Sequence, residues 1–126
     1  MDHLEAIVEI KNIIPPAFTD KIISLTKEKA KSKLPVTFGI ELDARNVNGY
    51  TLNFNTPTNL FYFNYIKKEI ERLYFYYKSK FPHINNTKVN QIDLLKYDIG
   101  GKYEIHTDSY SNNPRSLSVI MNLNDN

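Results

Sequence analysis

His106 and Asp108 are the residues of this sequence that are best suited to chemistry, and a single position separates them. If the segment is extended, side chains two positions apart leave the same face of a strand. One imidazole nitrogen and one carboxylate oxygen would then converge on one point. This pair supplies two of the three protein ligands of a two-histidine, one-carboxylate Fe(II) site. A bare His-x-Asp pair is common in proteins, so the metal hypothesis depends on its neighbours.

The neighbouring residues form an ordered pattern that strengthens this hypothesis. Tyr97, Gly100 and Tyr103 recur every three positions and lead up to His106. A short polar loop follows the His-x-Asp pair, and Arg115 stands between this loop and an apolar segment. The apolar segment ends in the sequence Leu-Asn-Asp. All these features therefore occur together, in a consistent order, within one segment of the sequence.

This pattern, over about residues 91–125, resembles the prolyl-4-hydroxylase-like branch of the 2-oxoglutarate- and Fe(II)-dependent dioxygenases. The resemblance implies a double-stranded β-helix (jelly-roll) with an iron site at its mouth. It also implies that His106 and Asp108 are the first two iron ligands. Tyr97 and Tyr103 match positions that line the 2-oxoglutarate pocket in such enzymes.

The same resemblance implies an activity and its cofactors. Arg115 matches a position near the co-substrate pocket or the substrate entrance. Fe(II) would be the metal and 2-oxoglutarate the co-substrate, which is converted to succinate and carbon dioxide, with ascorbate as a further candidate cofactor. The expected reaction is hydroxylation of a peptidyl or free amino-acid side chain. A prolyl substrate is suggested by the resemblance alone.

The sequence departs from this family at the third iron ligand. The family uses a second histidine, and then a lysine or arginine for the far carboxylate of 2-oxoglutarate, on later core strands. The other histidines here, His3 and His83, both precede the motif, and His83 is expected to lie at the surface after a helix. We therefore expect a truncated N-terminal portion of a dioxygenase, inactive by itself, in which two side chains hold iron weakly.

The rest of the sequence predicts an α+β fold in one domain, residues 1–126. Residues 1–86 are expected to form a helical support region, and residues 87–126 the first strands of an incomplete jelly-roll core. Helices are predicted from residues 19–20 to 32 and from residues 58–59 to Pro82. Strands are predicted at residues 6–10, 36–42, 50–54, 89–97, 102–108 and 116–123, with a turn at Gly100 and Gly101.

The second helix has the strongest periodic signal in the sequence. Its apolar positions follow steps of three and four: Phe63, Ile66, Ile70, Leu73 and Tyr77. We interpret this aromatic-rich stripe as a helix packed on a sheet, while a ligand-binding surface stays open as an alternative.

Composition limits the classes of function. The sequence has 126 residues and no cysteine, which excludes a disulfide framework, a cysteine-ligated zinc site and a thiol nucleophile. A formal net charge of +2 gives no electrostatic case for nucleic acid or an anionic membrane as partner. No signal peptide or long apolar run is visible, so a soluble, cytoplasmic protein is expected.

Two further function classes stay open. The chain could be a non-catalytic jelly-roll binding module in which His106 and Asp108 are surface or hydrogen-bonded residues. It could also be a structural jelly-roll component without metal. A nucleic-acid dealkylase on the same core is disfavoured by the near-neutral charge. An incomplete core would leave the edge of the strand at residues 116–123 unpaired, so self-association is expected.

Overall fold

A computed structural model describes residues 8–35, 39–40, 42, 45–84, 88–103 and 117–124 of the chain. The helices are α1, Pro16–Lys29, and α2, Pro57–Lys80. The strands are β1, Ser32–Lys33; β2, Arg45–Asn46; β3, Asn48–Thr51; β4, Asp93–Lys96; and β5, Lys102–Tyr103. The α+β prediction is therefore confirmed. The jelly-roll stays a prediction, because the described strands form two small sheets.

The two antiparallel sheets share one nearly continuous strand. β3 lies between β1 and β4 in a three-stranded sheet, and β2 pairs with β5. Val47 alone separates β2 from β3, and it is completely buried. Its carbonyl oxygen accepts a hydrogen bond from the Leu34 backbone N–H at 3.0 Å. β4 and β5 therefore pair with successive parts of the same segment, residues 45–51.

The core lies between the helices and the three-stranded sheet. α1 contacts β3 and β4 and contributes Ile22 and Leu25, while α2 contributes Phe63 and Ile66. The remaining members come from the sheet region: Leu52, Ile92 and Leu94. These apolar side chains leave water together, which is the main favourable term in folding. Neither described helix is long and apolar enough to cross a membrane.

Both helices begin at a proline, earlier than predicted. Pro16 and Pro57 occupy the first helical turn, where a missing N–H leaves no helical hydrogen bond unmade and the fixed φ favours the helix. Thr56 caps α2, because its side-chain oxygen accepts a backbone hydrogen bond at 3.1 Å. The predicted starts at residues 19–20 and 58–59 are therefore wrong.

α2 extends beyond the core against which it packs. Its 24 residues span about 36 Å, whereas a four-residue strand spans about 13 Å. Consequently its predicted apolar stripe is buried at Phe63 and Ile66, whereas further along it is only half-buried: Ile70, Leu73 and Tyr77. The prediction of a helix packed on a sheet is confirmed for the first half of α2.

Several predicted strands are shorter than expected or absent from the described residues. The described parts of the strands predicted at 6–10 and 116–123 form no strand, and Gly39 makes an isolated bridge within 36–42. Met121 and Leu123 nevertheless pack against the core. An alternating apolar pattern can thus be satisfied by packing alone, without a neighbouring strand to complete a ladder.

A buried amide group joins the start of α2 to β3. Asn59 is 2% exposed, and its Nδ2 donates hydrogen bonds to Tyr50 Oη at 2.7 Å and to Asn53 Oδ1 at 3.0 Å. A buried polar group without partners destabilises the folded state. Because another position of the Asn59 amide would lose these two hydrogen bonds, they hold the side chain in one position. The helix start is thereby tied to the strand.

Replacement Asn59→Ala is expected to lower the free energy of unfolding by about 1–3 kcal/mol, because Tyr50 and Asn53 lose a buried partner. Urea denaturation measures this change. Asn64→Ala, at an exposed position of the same helix, is the matched control and should change stability by less than about 0.5 kcal/mol. Equal effects of the two substitutions would contradict a role for the buried amide.

Candidate metal centre

β5 leads directly into the predicted metal motif. Lys102 and Tyr103 pair with Asn46 and Arg45, so the backbone three residues before His106 is extended. The strand predicted at residues 102–108 is thus confirmed at its first two positions. His106, Asp108 and Arg115 lie outside the described residues, and their arrangement stays a prediction.

The two motif tyrosines occupy different parts of the ladder. Tyr97 directly follows β4 and is 51% exposed. Tyr103 lies within β5, directly opposite Arg45. The ladder therefore brings Tyr103 next to Arg45, while Tyr97 stands at the point where the chain leaves β4. Their shared role in a 2-oxoglutarate pocket stays a prediction.

Residues 97–101, which begin with Tyr97 and end just before β5, leave the ladder, and we call them the 97–101 excursion. Lys96 is opposite Asn48, whereas Lys102 is opposite Asn46. The whole excursion therefore stands against Val47 on the facing strand. Insertions of this kind bend a strand and re-aim its side chains, and they are frequent beside active sites.

A glycine-dependent turn closes the 97–101 excursion. The Gly101 N–H donates to the Asp98 carbonyl oxygen at 2.8 Å, and Gly100 has a φ of 82°. A type II turn needs a positive φ at this third position, which glycine adopts without strain. A Cβ on Gly101 would lie 2.9 Å from the carbonyl oxygens of Asn46 and Asp98. The predicted turn at Gly100 and Gly101 is therefore confirmed.

Arg45 is a charged neighbour of the motif that the sequence did not predict. It is half-buried, and its Nη1 donates to the Pro35 carbonyl oxygen at 3.1 Å. Its place opposite Tyr103 depends on a two-residue strand that lies between the strands predicted at residues 36–42 and 50–54, where no strand was predicted. No local pattern identifies such a long-range partner.

His83 is the one histidine among the residues that the structure describes. His83 is exposed in the turn after α2, as predicted. Among the residues that the structure describes, no group of three or more histidines and acidic residues could hold a metal ion. His106 and Asp108 are outside that search, so the metal hypothesis is neither supported nor weakened by it.

The fold and the strand before the motif define an α+β domain with an antiparallel ladder that the 97–101 excursion interrupts. Comparisons of the chain with protein-family models, curated proteins and solved structures found no match. A functional hypothesis therefore has to be built from the motif and from the strand that leads into it.

Proposed function

We propose that this chain carries the first two iron ligands, His106 and Asp108, of an Fe(II)- and 2-oxoglutarate-dependent dioxygenase of the prolyl-4-hydroxylase-like type. Its reaction would be hydroxylation of a peptidyl or amino-acid side chain. The observation that carries this proposal is the ordered spacing of Tyr97, Gly100, Tyr103 and the His-x-Asp pair. β5 supports it, because an extended backbone continuing into the pair would put both ligands on one face. In this proposal β4 and β5 belong to the start of a jelly-roll core.

The donor chemistry fits Fe(II) in kind but is incomplete in number. A neutral imidazole nitrogen and a carboxylate oxygen are both ligands of facial-triad iron sites. The motif supplies two protein ligands, so water or a further ligand from outside the motif would fill the remaining coordination positions. Bound iron, together with 2-oxoglutarate, would supply the oxidation by dioxygen. We expect weak iron binding and no turnover by this chain alone.

The other motif residues would act on the co-substrate and at the entrance. A phenol can donate a hydrogen bond to a carboxylate, which suits Tyr97 and Tyr103 to 2-oxoglutarate. A guanidinium attracts anions, so Arg115 would favour an anionic co-substrate or substrate near the entrance. The task of the strands is to hold these groups on a rigid frame.

Anaerobic titration with Fe(II) tests the metal site. The natural chain should bind about one equivalent, and His106→Ala and Asp108→Ala should each abolish detectable binding, because a single remaining ligand cannot retain the ion. His83→Ala is the matched control and should bind iron like the natural chain. Absence of iron binding by the natural chain would favour the alternative, a non-catalytic jelly-roll binding or structural module.

Turnover of 2-oxoglutarate tests the number of ligands. The chain, supplied with Fe(II), ascorbate and dioxygen, should release no succinate above the level of His106→Ala. Succinate release is measured with and without candidate peptides. Turnover at a rate typical of dioxygenases would contradict the two-ligand account, because it would require a complete iron site.

A further inference from the structure

The solvent-facing side of the second half of α2 combines aromatic and basic side chains. Between residues 71 and 80, the exposed positions form two adjacent rows at steps of four, which places them on one side of the helix. We call this side the aromatic–basic face: Glu71, Arg72, Phe75, Tyr76, Ser79 and Lys80. The half-buried positions Leu73 and Tyr77 lie on the other side of the helix.

Phe75 and Tyr76 present large rings to solvent. Phe75 is 71% exposed, and Tyr76 is 46% exposed. Lys80 Nζ lies 5.0 Å from the centroid of the Tyr76 ring, so a cation and an aromatic ring stand side by side on this face. A ring that is mostly exposed stabilises the fold little, because little of its apolar area leaves water. Burial in the core therefore does not explain a phenylalanine at position 75.

The formal charge of the chain is unevenly distributed. Residues 67–80 contain five lysines and arginines and two glutamates, which gives a net charge of +3, while the whole chain carries +2. Both glutamates have partners: Glu69 Oε2 lies 3.1 Å from Arg72 Nη1, and Glu71 Oε1 lies 3.8 Å from Lys67 Nζ. The near-neutral charge of the whole chain is therefore compatible with a local positive surface, which attracts anions.

Charge alone does not distinguish this surface. The end of α1 also carries a lysine cluster, in residues 27–33, but no aromatic residue is interspersed with it. On the aromatic–basic face, cations and exposed rings occur together. This combination suits single-stranded nucleic acids, because phosphates are attracted to cations and unpaired bases stack on aromatic rings.

We propose that the aromatic–basic face binds single-stranded nucleic acid, with a base stacked on Phe75 and phosphates beside Arg72 and Lys80. A duplex covers the faces of its bases, so it cannot use the ring in this way. A membrane surface fits less well, because an interfacial helix needs a broad apolar face, whereas Arg72 and Ser79 flank the two rings. The inference goes beyond the proposed function and is independent of it, since no residue of the metal motif takes part.

Fluorescence anisotropy with labelled oligo(dT) and oligo(U) of about twenty nucleotides tests the stacking contact on the full chain. Phe75→Ala should weaken binding by about fivefold or more, whereas Phe75→Tyr, which keeps a ring, should retain it. Phe61→Ala is the matched control and should change affinity by less than about twofold. Phe61 also lies on α2 and is 58% exposed, but no charged residue stands within four positions of it in the sequence.

Lys80→Gln tests the phosphate contact. It should weaken binding and reduce the slope of log affinity against log salt concentration by about 0.7, the change expected for one phosphate contact on a single strand. Lys31→Gln, at an exposed position in the lysine cluster at the end of α1, is the control and should leave this slope unchanged. Equal effects of the two substitutions would contradict a specific role for the aromatic–basic face.

Three further results would overturn the proposal, with circular dichroism used to verify that each variant is folded. The first is an equal loss of affinity in Phe75→Ala and Phe61→Ala. The second is equal affinity for a duplex of the same length. The third is absence of oligonucleotide binding at low salt, and Phe75-dependent binding of phosphatidylserine vesicles in that case would assign the face to a membrane surface. Tighter binding of oligo(U) than of oligo(dT), or the reverse, would support the proposal and identify the nucleic acid as RNA or DNA.

Discussion

Phe63→Ala is expected to lower the free energy of unfolding by about 3–5 kcal/mol, because it removes a large buried ring and leaves a cavity. Phe63 is 5% exposed in the core, and its ring meets Phe54 edge to face with centroids 4.9 Å apart. A domain of this size has a total stability of about 5–15 kcal/mol, so the loss would be a large share of the total. Urea denaturation followed by circular dichroism measures it.

The same helix provides the control for this experiment. Phe75 also lies on α2 but is 71% exposed, so Phe75→Ala should change stability by no more than about 0.5 kcal/mol. The difference between the two variants reports burial, since the residue type and the helix are the same. Similar losses for both would show that the second half of α2 is buried, contrary to the fold described above.

Gly101→Val is expected to disrupt the pairing of β2 with β5 and to weaken Fe(II) binding by at least about tenfold. The added Cβ would lie 2.9 Å from two carbonyl oxygens, those of Asn46 and Asp98, and backbone atoms cannot move aside as a side chain can. Opening this contact would release β5, the strand before the metal motif. Hydrogen exchange at the amides of Asn46 and Lys102, which lie opposite each other, should accelerate in parallel with the loss of iron affinity.

A second glycine separates backbone strain from the effect on the site. Gly39 has a φ of 114° and would meet no atom within 4 Å of an added Cβ. Gly39→Ala should therefore destabilise the chain by about 1–2 kcal/mol through strain, with Fe(II) affinity retained. Full iron affinity in a folded Gly101→Val variant would show that the metal site does not depend on the 97–101 excursion.

The sequence predicted the presence of the two helices better than it predicted where they begin. The three-and-four spacing from Phe63 onward identified α2, because burial of one helical face is a local periodic property. Both helices were predicted to begin after their proline, whereas Pro16 and Pro57 stand in the first turn, where proline is favourable. Whether a proline ends one segment or begins the next helix depends on the chain that follows it.

The strands were harder to predict than the helices, because their positions depend on pairing between residues that are distant in the sequence. The glycine turn at Gly100 and Gly101 was predictable, since it follows from residue types alone. By contrast, nothing local indicates that Asn46 faces Lys102 or that Val47 stands against the whole 97–101 excursion. A strand was predicted at residues 116–123, but the described part of it forms none, because alternation of apolar residues does not ensure a hydrogen-bonded neighbour.

In the candidate site, too, some features follow from the sequence and others only from the fold. Residue types and spacing suffice to propose His106 and Asp108 as a ligand pair, because an extended backbone places positions two apart on one face. The position of Arg45 beside Tyr103 came from the strand pairing. Exposure of Leu95 and Ile99 likewise depends on which neighbours cover them, so it could not be predicted before the fold was known.

Locating the ion in solution shows whether His106 and Asp108 together bind a divalent metal ion. Paramagnetic Mn(II), a substitute for Fe(II), is added to the isotope-labelled chain, and the broadening of assigned amide resonances is recorded. We expect one equivalent to broaden His106, Asp108 and Tyr103 first and to leave His83 sharp. Broadening centred on His83, or no localised broadening at all, would rule out an ion held by His106 and Asp108.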